Sequence, residues 1–89
     1  MEIEELFKIN MGRIIRAHRK HMGITSEELA HRAGFHHTHL NKIELGKSMM
    51  SQHIFFKIAA GLNKSPSLLT KEIEEEIFSL YKEDVKSRT

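Results

Sequence analysis

The chain of 89 residues has no cysteine, no tryptophan and a single proline. Without cysteine there is no disulfide frame, no thiolate zinc finger and no thiol nucleophile, a composition that suits a reducing cytoplasm. No apolar run approaches the roughly eighteen residues that a membrane helix needs. The opening MEIEELFKIN is acidic where a secretory signal would be basic, so the expectation is a soluble cytoplasmic protein with no membrane partner. One proline, five glycines and no repeats or low-complexity stretches leave no room for a linker. The chain therefore reads as one domain over 1–89 with one modest core, and any function lies on the outside of that core.

The net charge of +2 is unevenly spread. Glu2, Glu4 and Glu5 make the start acidic, and Glu72, Glu74, Glu75 and Glu76 do the same near the end. Arg13, Arg16, Arg19, Lys20, Arg32, Lys42 and Lys47 make the middle basic. A basic middle suits a polyanion such as nucleic acid, although a mild excess is equally explained by a solvated face.

Apolar spacing is helical. Strict alternation over strand-length windows is missing, while Ile3, Leu6, Phe7, Met11, Ile14 and Ile15 predict a first helix over about residues 2–22, with Gly12 weakening its middle. Thr25 and Glu28 form a capping box, with Ile24 and Leu29 placed as a hydrophobic staple, so a second helix begins at Ser26. It buries Leu29, Ala30 and Ala33 and stops at Gly34. A third spans 36–45: Phe35, Leu40 and Ile43 supply its apolar positions, His37, Thr38, Asn41, Lys42 and Leu45 lie on other faces, and Gly46 stops it. Ser51 caps a fourth helix through Leu62, where Asn63 suits the left-handed conformation, and Ser65 before Pro66 opens a fifth over 66–87. The fold class is all-α, with five helices or four and a long tail.

Two short helices joined by a glycine turn, with the small Ala30 where they approach, are the layout of a helix-turn-helix over 26–45. The run GITSEELAHRAGFHHTHLNKIELGKS resembles the core of the Cro/CI-type (XRE-type) DNA-binding repressors in its threonine-capped EELA helix, glycine turn and I-E-x-G ending. The similarity continues upstream through IIRAHRKHMG and downstream through KIAAGLNKSPSLL, covering about residues 11–70. It implies a compact five-helix, lambda-repressor-like DNA-binding domain with an extended C-terminal helix and double-stranded DNA as its partner. The helix 36–45 would enter the major groove while the helix before it crosses the backbone.

On that resemblance His37, Thr38 and Lys42 occupy base-reading positions, and Asn41 reads a base or braces a phosphate. Ser26, His36, Lys47 and Ser48 face the DNA backbone, Ser26 with a shorter reach than the glutamine many relatives have there. Arg13 and Arg16 add backbone affinity. Arg19 and Glu44 match positions that form a partly buried ion pair tying the first helix to the third. The chemistry agrees: a lysine donates to guanine O6 or N7, an asparagine pairs with adenine, and threonine offers a hydroxyl or a methyl. Departures from the pattern are His18 for a buried leucine, Met50 for proline, Gln52 for leucine and His36 for a capping serine. The last leaves the amides at that helix start to water or a phosphate oxygen.

Three histidines crowd the segment HHTH, which raises a metal reading and a pH-sensing one. His36, His37 and His39 are nearly consecutive, so their directions diverge and only His36 and His39 share a face; Glu28 and His31 form an E-x-x-H with no second copy. The inventory therefore predicts no metal and no cofactor. Protonating imidazoles, ordinarily near pH 6.5, would add positive charge to a DNA-facing surface and tighten binding.

The stripe Ile73, Ile77, Leu80 or Tyr81, and Val85 reads either as a helix folded over the core or, with Phe55 and Phe56, as a homodimer interface in the helix 66–87. The dimer is the stronger expectation, because a chain this short has little core for so many apolar residues. No nucleophile elbow, phosphate loop or paired catalytic motif organises an enzyme. The function expected is a sequence-specific DNA-binding transcriptional regulator, a dimeric repressor or autoregulator. The alternatives are a restriction–modification controller protein and an antitoxin or protein-interaction module on the same fold.

Overall fold

Serine and threonine side chains start three of the helices. In a computed structural model that describes residues 2–88, the elements are α1 (Ile3–His21), α2 (Ser26–Ala33), α3 (His37–Glu44), α4 (Gln52–Gly61) and α5 (Pro66–Lys86). Met1 and Thr89, the ends of the expected 1–89 span, lie outside the described residues. Thr25 Oγ1 accepts from the Glu28 amide at 3.1 Å, Ser51 Oγ from Ile54 at 3.1 Å and Ser65 Oγ from Leu68 at 3.2 Å. Each bond satisfies an amide that the helix itself cannot. Only half of the expected capping box at Thr25 forms among the described residues, because the Glu28 carboxylate turns to Arg32, 3.8 Å away.

Helix ends depend on backbone that bends left-handed. Gly34 (φ +80°) closes α2, its amide and that of Phe35 reaching back to the Ala30 carbonyl at 2.8 and 3.1 Å. Gly46 (φ +73°) does the same for α3, and Asn63 (φ 55°) follows α4. The last segment is a continuous helix of 21 residues, so the described residues form five helices rather than four and a long tail.

Every helix contributes to one core. Ile15, Leu29, Leu40, Ile43, Ile58, Leu62 and Leu69 are the largest fully buried side chains, joined by Met11, Ile14, Ala30, Ala59, Ile73 and Ile77. Each fully buried leucine or isoleucine contributes about 1.5–3 kcal/mol of transfer free energy. α1 packs on both α3 and α5, α2 on α3 and α4, and α4 on α5. The apolar stripe of α5 divides: Ile73 and Ile77 belong to the core and Tyr81 meets Phe7 edge-on at 6.5 Å, whereas Phe78, Leu80 and Val85 stay 50%, 44% and 59% exposed. Likewise Phe55 packs against the core and Phe56 does not.

Gly12 corrects an expectation. Read locally it weakens α1, since glycine costs about 1 kcal/mol against alanine inside a helix. In the fold it is the point where α1 crosses the end of α3: an added Cβ would run into the Ile43 carbonyl oxygen and come within 2.7 Å of that of Glu44. Both obstacles are backbone, so neither can swing aside. Gly12→Ala should therefore lower stability by about 2 kcal/mol or more in urea denaturation, against the gain that helix propensity alone predicts. An unchanged or raised midpoint would show that α1 and α3 separate at no cost.

Candidate nucleic-acid interface

α3 is held from behind and open in front. Leu40 and Ile43 are fully buried, which fixes the helix against the core and turns His37, Thr38 and Lys42 to solvent; Asn41 is half-buried beside them. His36 precedes the helix in extended conformation, and its carbonyl accepts from the amides of His39 and Leu40, each at 3.2 Å. Its imidazole makes no capping bond and is exposed. His39 turns inward, its ring edge-on to Phe35 at 5.7 Å, so His36 and His37 alone of the trio project outward. No group of three or more metal-binding side chains converges among the described residues.

The flanking residues belong to the start of α2 and to the segment just past α3. Ser26 is half-buried at the start of α2, and Lys47 is exposed just past Gly46, its amide donating to the Lys42 carbonyl at 2.9 Å. Ser48 is half-buried and its hydroxyl donates to the Met49 carbonyl at 3.1 Å. Arg13 and Arg16 of α1, both exposed, separate. Arg16 follows Gly12 by one turn and precedes Arg19 by one, which puts it on the stripe that faces α3. Arg13 lines a groove between α1 and α5 with Lys64, Glu72 and Glu76.

Behind the site, Arg19 reaches from α1 to α3. Its Nε donates to Glu44 Oε2 at 2.8 Å and its Nη2 to Oε1 at 2.9 Å, while Nη1 donates to the Ile24 carbonyl at 2.9 Å. The two side chains are only 12% and 6% exposed. The hydrogen bonds to Glu44 raise the pKa of Arg19; burial opposes this, and the neighbouring carboxylate charge adds to it. One arginine thus uses both edges of its planar fork, on α3 and on the turn that leads into α2.

Two contacts carry no local sequence signal. Lys57 of α4 donates to the Gly34 carbonyl at 3.1 Å, latching the turn between α2 and α3 from behind. His18 Nε2 donates to the Glu72 carboxylate at 2.9 and 3.1 Å, so one member of the acidic run near the end of the chain joins α5 to α1. Neither shows as a local pattern, because the partners lie 23 and 54 positions apart.

Breaking a buried ion pair from one side strands the other charge. Glu44→Gln should cost about 3 kcal/mol in chemical denaturation, whereas replacing both residues by methionine should recover much of it. A loss below about 1 kcal/mol would place the pair among ordinary surface ion pairs.

A family model described as helix-turn-helix matches residues 15–69. None of the curated proteins matches the chain. Among solved structures, the restriction-modification controller protein C.AhdI from Aeromonas hydrophila is similar at 24% identity and a TM-score of 0.73, with 76% of this chain and 99% of that one covered. Two structures of the clp gene regulator ClgR from Corynebacterium glutamicum are similar at 21% and 20% identity, with TM-scores of 0.72 and 0.74. The first covers 80% of this chain and 92% of that one, the second 92% and 87%. At these identities the likeness is one of fold.

Proposed function

The chain belongs to this helix-turn-helix family and is a DNA-binding transcriptional regulator, and we propose that it is cytoplasmic, acts as a homodimer and reads the major groove with the leading end of α3. The observation that carries this is the division of α3 into a buried face, Leu40 and Ile43, and an exposed polar one of His37, Thr38 and Lys42. A helix with its side chains is about 10–12 Å across, which the width of the B-DNA major groove accommodates.

In this reading Lys42 donates to guanine O6 or N7, Asn41 pairs with adenine, Thr38 presents its hydroxyl or methyl, and His37 donates to a base or phosphate acceptor. Ser26, His36, Lys47, Ser48 and Arg16 hold the backbone, which fixes register without reading sequence. Arg13 contributes least, because Glu72 and Glu76 share its groove. Arg19 and Glu44 stay out of the contact and keep α3 at its angle to α1. The helix-turn-helix is the unit 26–45, and the exposed Phe56, Phe78 and Val85 support pairing of two copies through the C-terminal helix. A controller protein of a restriction–modification system is one form of such a regulator, and the fold shared with C.AhdI supports it.

Titrating isotope-labelled protein with a mixed-sequence duplex tests the assignment. Amide shifts should gather at Ser26, at 36–42 and at 47–48, and leave α5 unmoved. Lys47→Ala, which removes a backbone contact, should reduce the slope of log affinity against log salt by about one unit. Shifts confined to α5, or an unchanged slope, would favour a protein-interaction module that keeps the fold without using it on DNA.

A further inference from the structure

The outer face of α5 carries a pattern that a single chain does not use. Phe78 and Val85 stand exposed along it, and Phe56 of α4 stands at its N-terminal end, sharing a groove with Lys71 and Glu74. That groove, also lined by Met11, Phe55 and Ile73, continues along α5 into two shallower ones through the shared residues Lys71 and Glu74, then Phe78 and Lys82. Glu74, Phe78 and Lys82 follow one another at steps of four, so they share one stripe of the helix. Lys82 Nζ lies 5.8 Å from the centre of the Phe78 ring, and Glu74 has no ion-pair partner among the described residues.

Reversing the direction of this stripe exchanges its charges about Phe78. A copy running antiparallel on a twofold axis sets residue 78+n against residue 78−n, and the position one turn before Phe78 is acidic while that one turn after is basic. We propose that two copies pair through antiparallel α5 helices about a twofold axis at Phe78, with Glu74 of each copy facing Lys82 of the other. The proposal rests on the dimeric reading above and supplies its register.

Two reciprocal ion pairs then flank a Phe78–Phe78 contact at about 6 Å along the axis on either side. Val85 of each copy comes over the Lys71 stem and Phe56 of the other. An axis near Glu74 and Glu75 would oppose carboxylates, and one at Lys82 would oppose ammonium groups. The aromatic and aliphatic centre supplies most of the contact energy, and the charges choose the register.

Glu74→Lys and Lys82→Glu lie on the exposed face, so both variants should fold, which circular dichroism checks. Sedimentation at tens of micromolar should find the unaltered chain dimeric and each single variant at least about tenfold weaker in self-association, since every cross-pair becomes a like-charge contact. An equimolar mixture of the two variants should form heterodimers, and the chain carrying both changes should pair with itself again. Unaltered dimers in the single variants would overturn this register and leave the dimer standing elsewhere. A monomeric unaltered chain would overturn both the register and the dimeric reading.

Discussion

The close crossing of α1 over the end of α3 is the constraint from which the rest of the arrangement follows. Gly12 lets the two backbones approach until no Cβ fits between them, and seven residues further along the same stripe Arg19 clasps Glu44 through two hydrogen bonds. The two contacts are about 10 Å apart along the helix, so together they fix an angle as well as a distance. α1 meets α5 on a different stripe, through Ile14 and the bond from His18 to Glu72. One helix therefore sets the orientation of α3 and of the C-terminal helix relative to each other.

Different forces do different parts of this. Burial of Ile15, Leu29, Leu40, Ile43, Ile58, Leu62 and Leu69 is non-directional and would tolerate several packings of the helices. The Arg19–Glu44 pair adds little net stability once both charges are taken out of water, yet it is geometrically demanding. Its contribution is direction: it admits one rotation of α3 about its own axis. That rotation keeps His37, Thr38 and Lys42 pointing outward together. The lysine latch from α4 to the Gly34 carbonyl constrains the turn on the opposite side in the same way.

Features whose cause is local were readable in the sequence. The side-chain caps at Thr25, Ser51 and Ser65 and the left-handed stops at Gly34 and Gly46 placed the helix boundaries, because each depends on residues three or four positions away. The outward face of α3 followed from the spacing of Leu40 and Ile43. Long-range causes were not readable. Gly12 looks like a defect until the carbonyls of Ile43 and Glu44 are seen against it, and nothing in their spacing joins His18 to Glu72 or Lys57 to Gly34. The partnership of Arg19 with Glu44 came from the family resemblance alone. Periodicity grouped Ile73, Ile77, Tyr81 and Val85 without telling which of them α1 covers, and the fold divides them between core and surface.

In the proposed function, two copies of the helix-turn-helix read one symmetric DNA site through the outward face of α3. Selecting bound duplexes from a random pool tests it most directly. Pairing of two copies about a twofold axis predicts a twofold-symmetric consensus whose half-sites lie about one helical turn, roughly 10 base pairs, or a multiple of it apart. Retention of the pool with no enriched sequence, or a consensus lacking twofold symmetry, would contradict it.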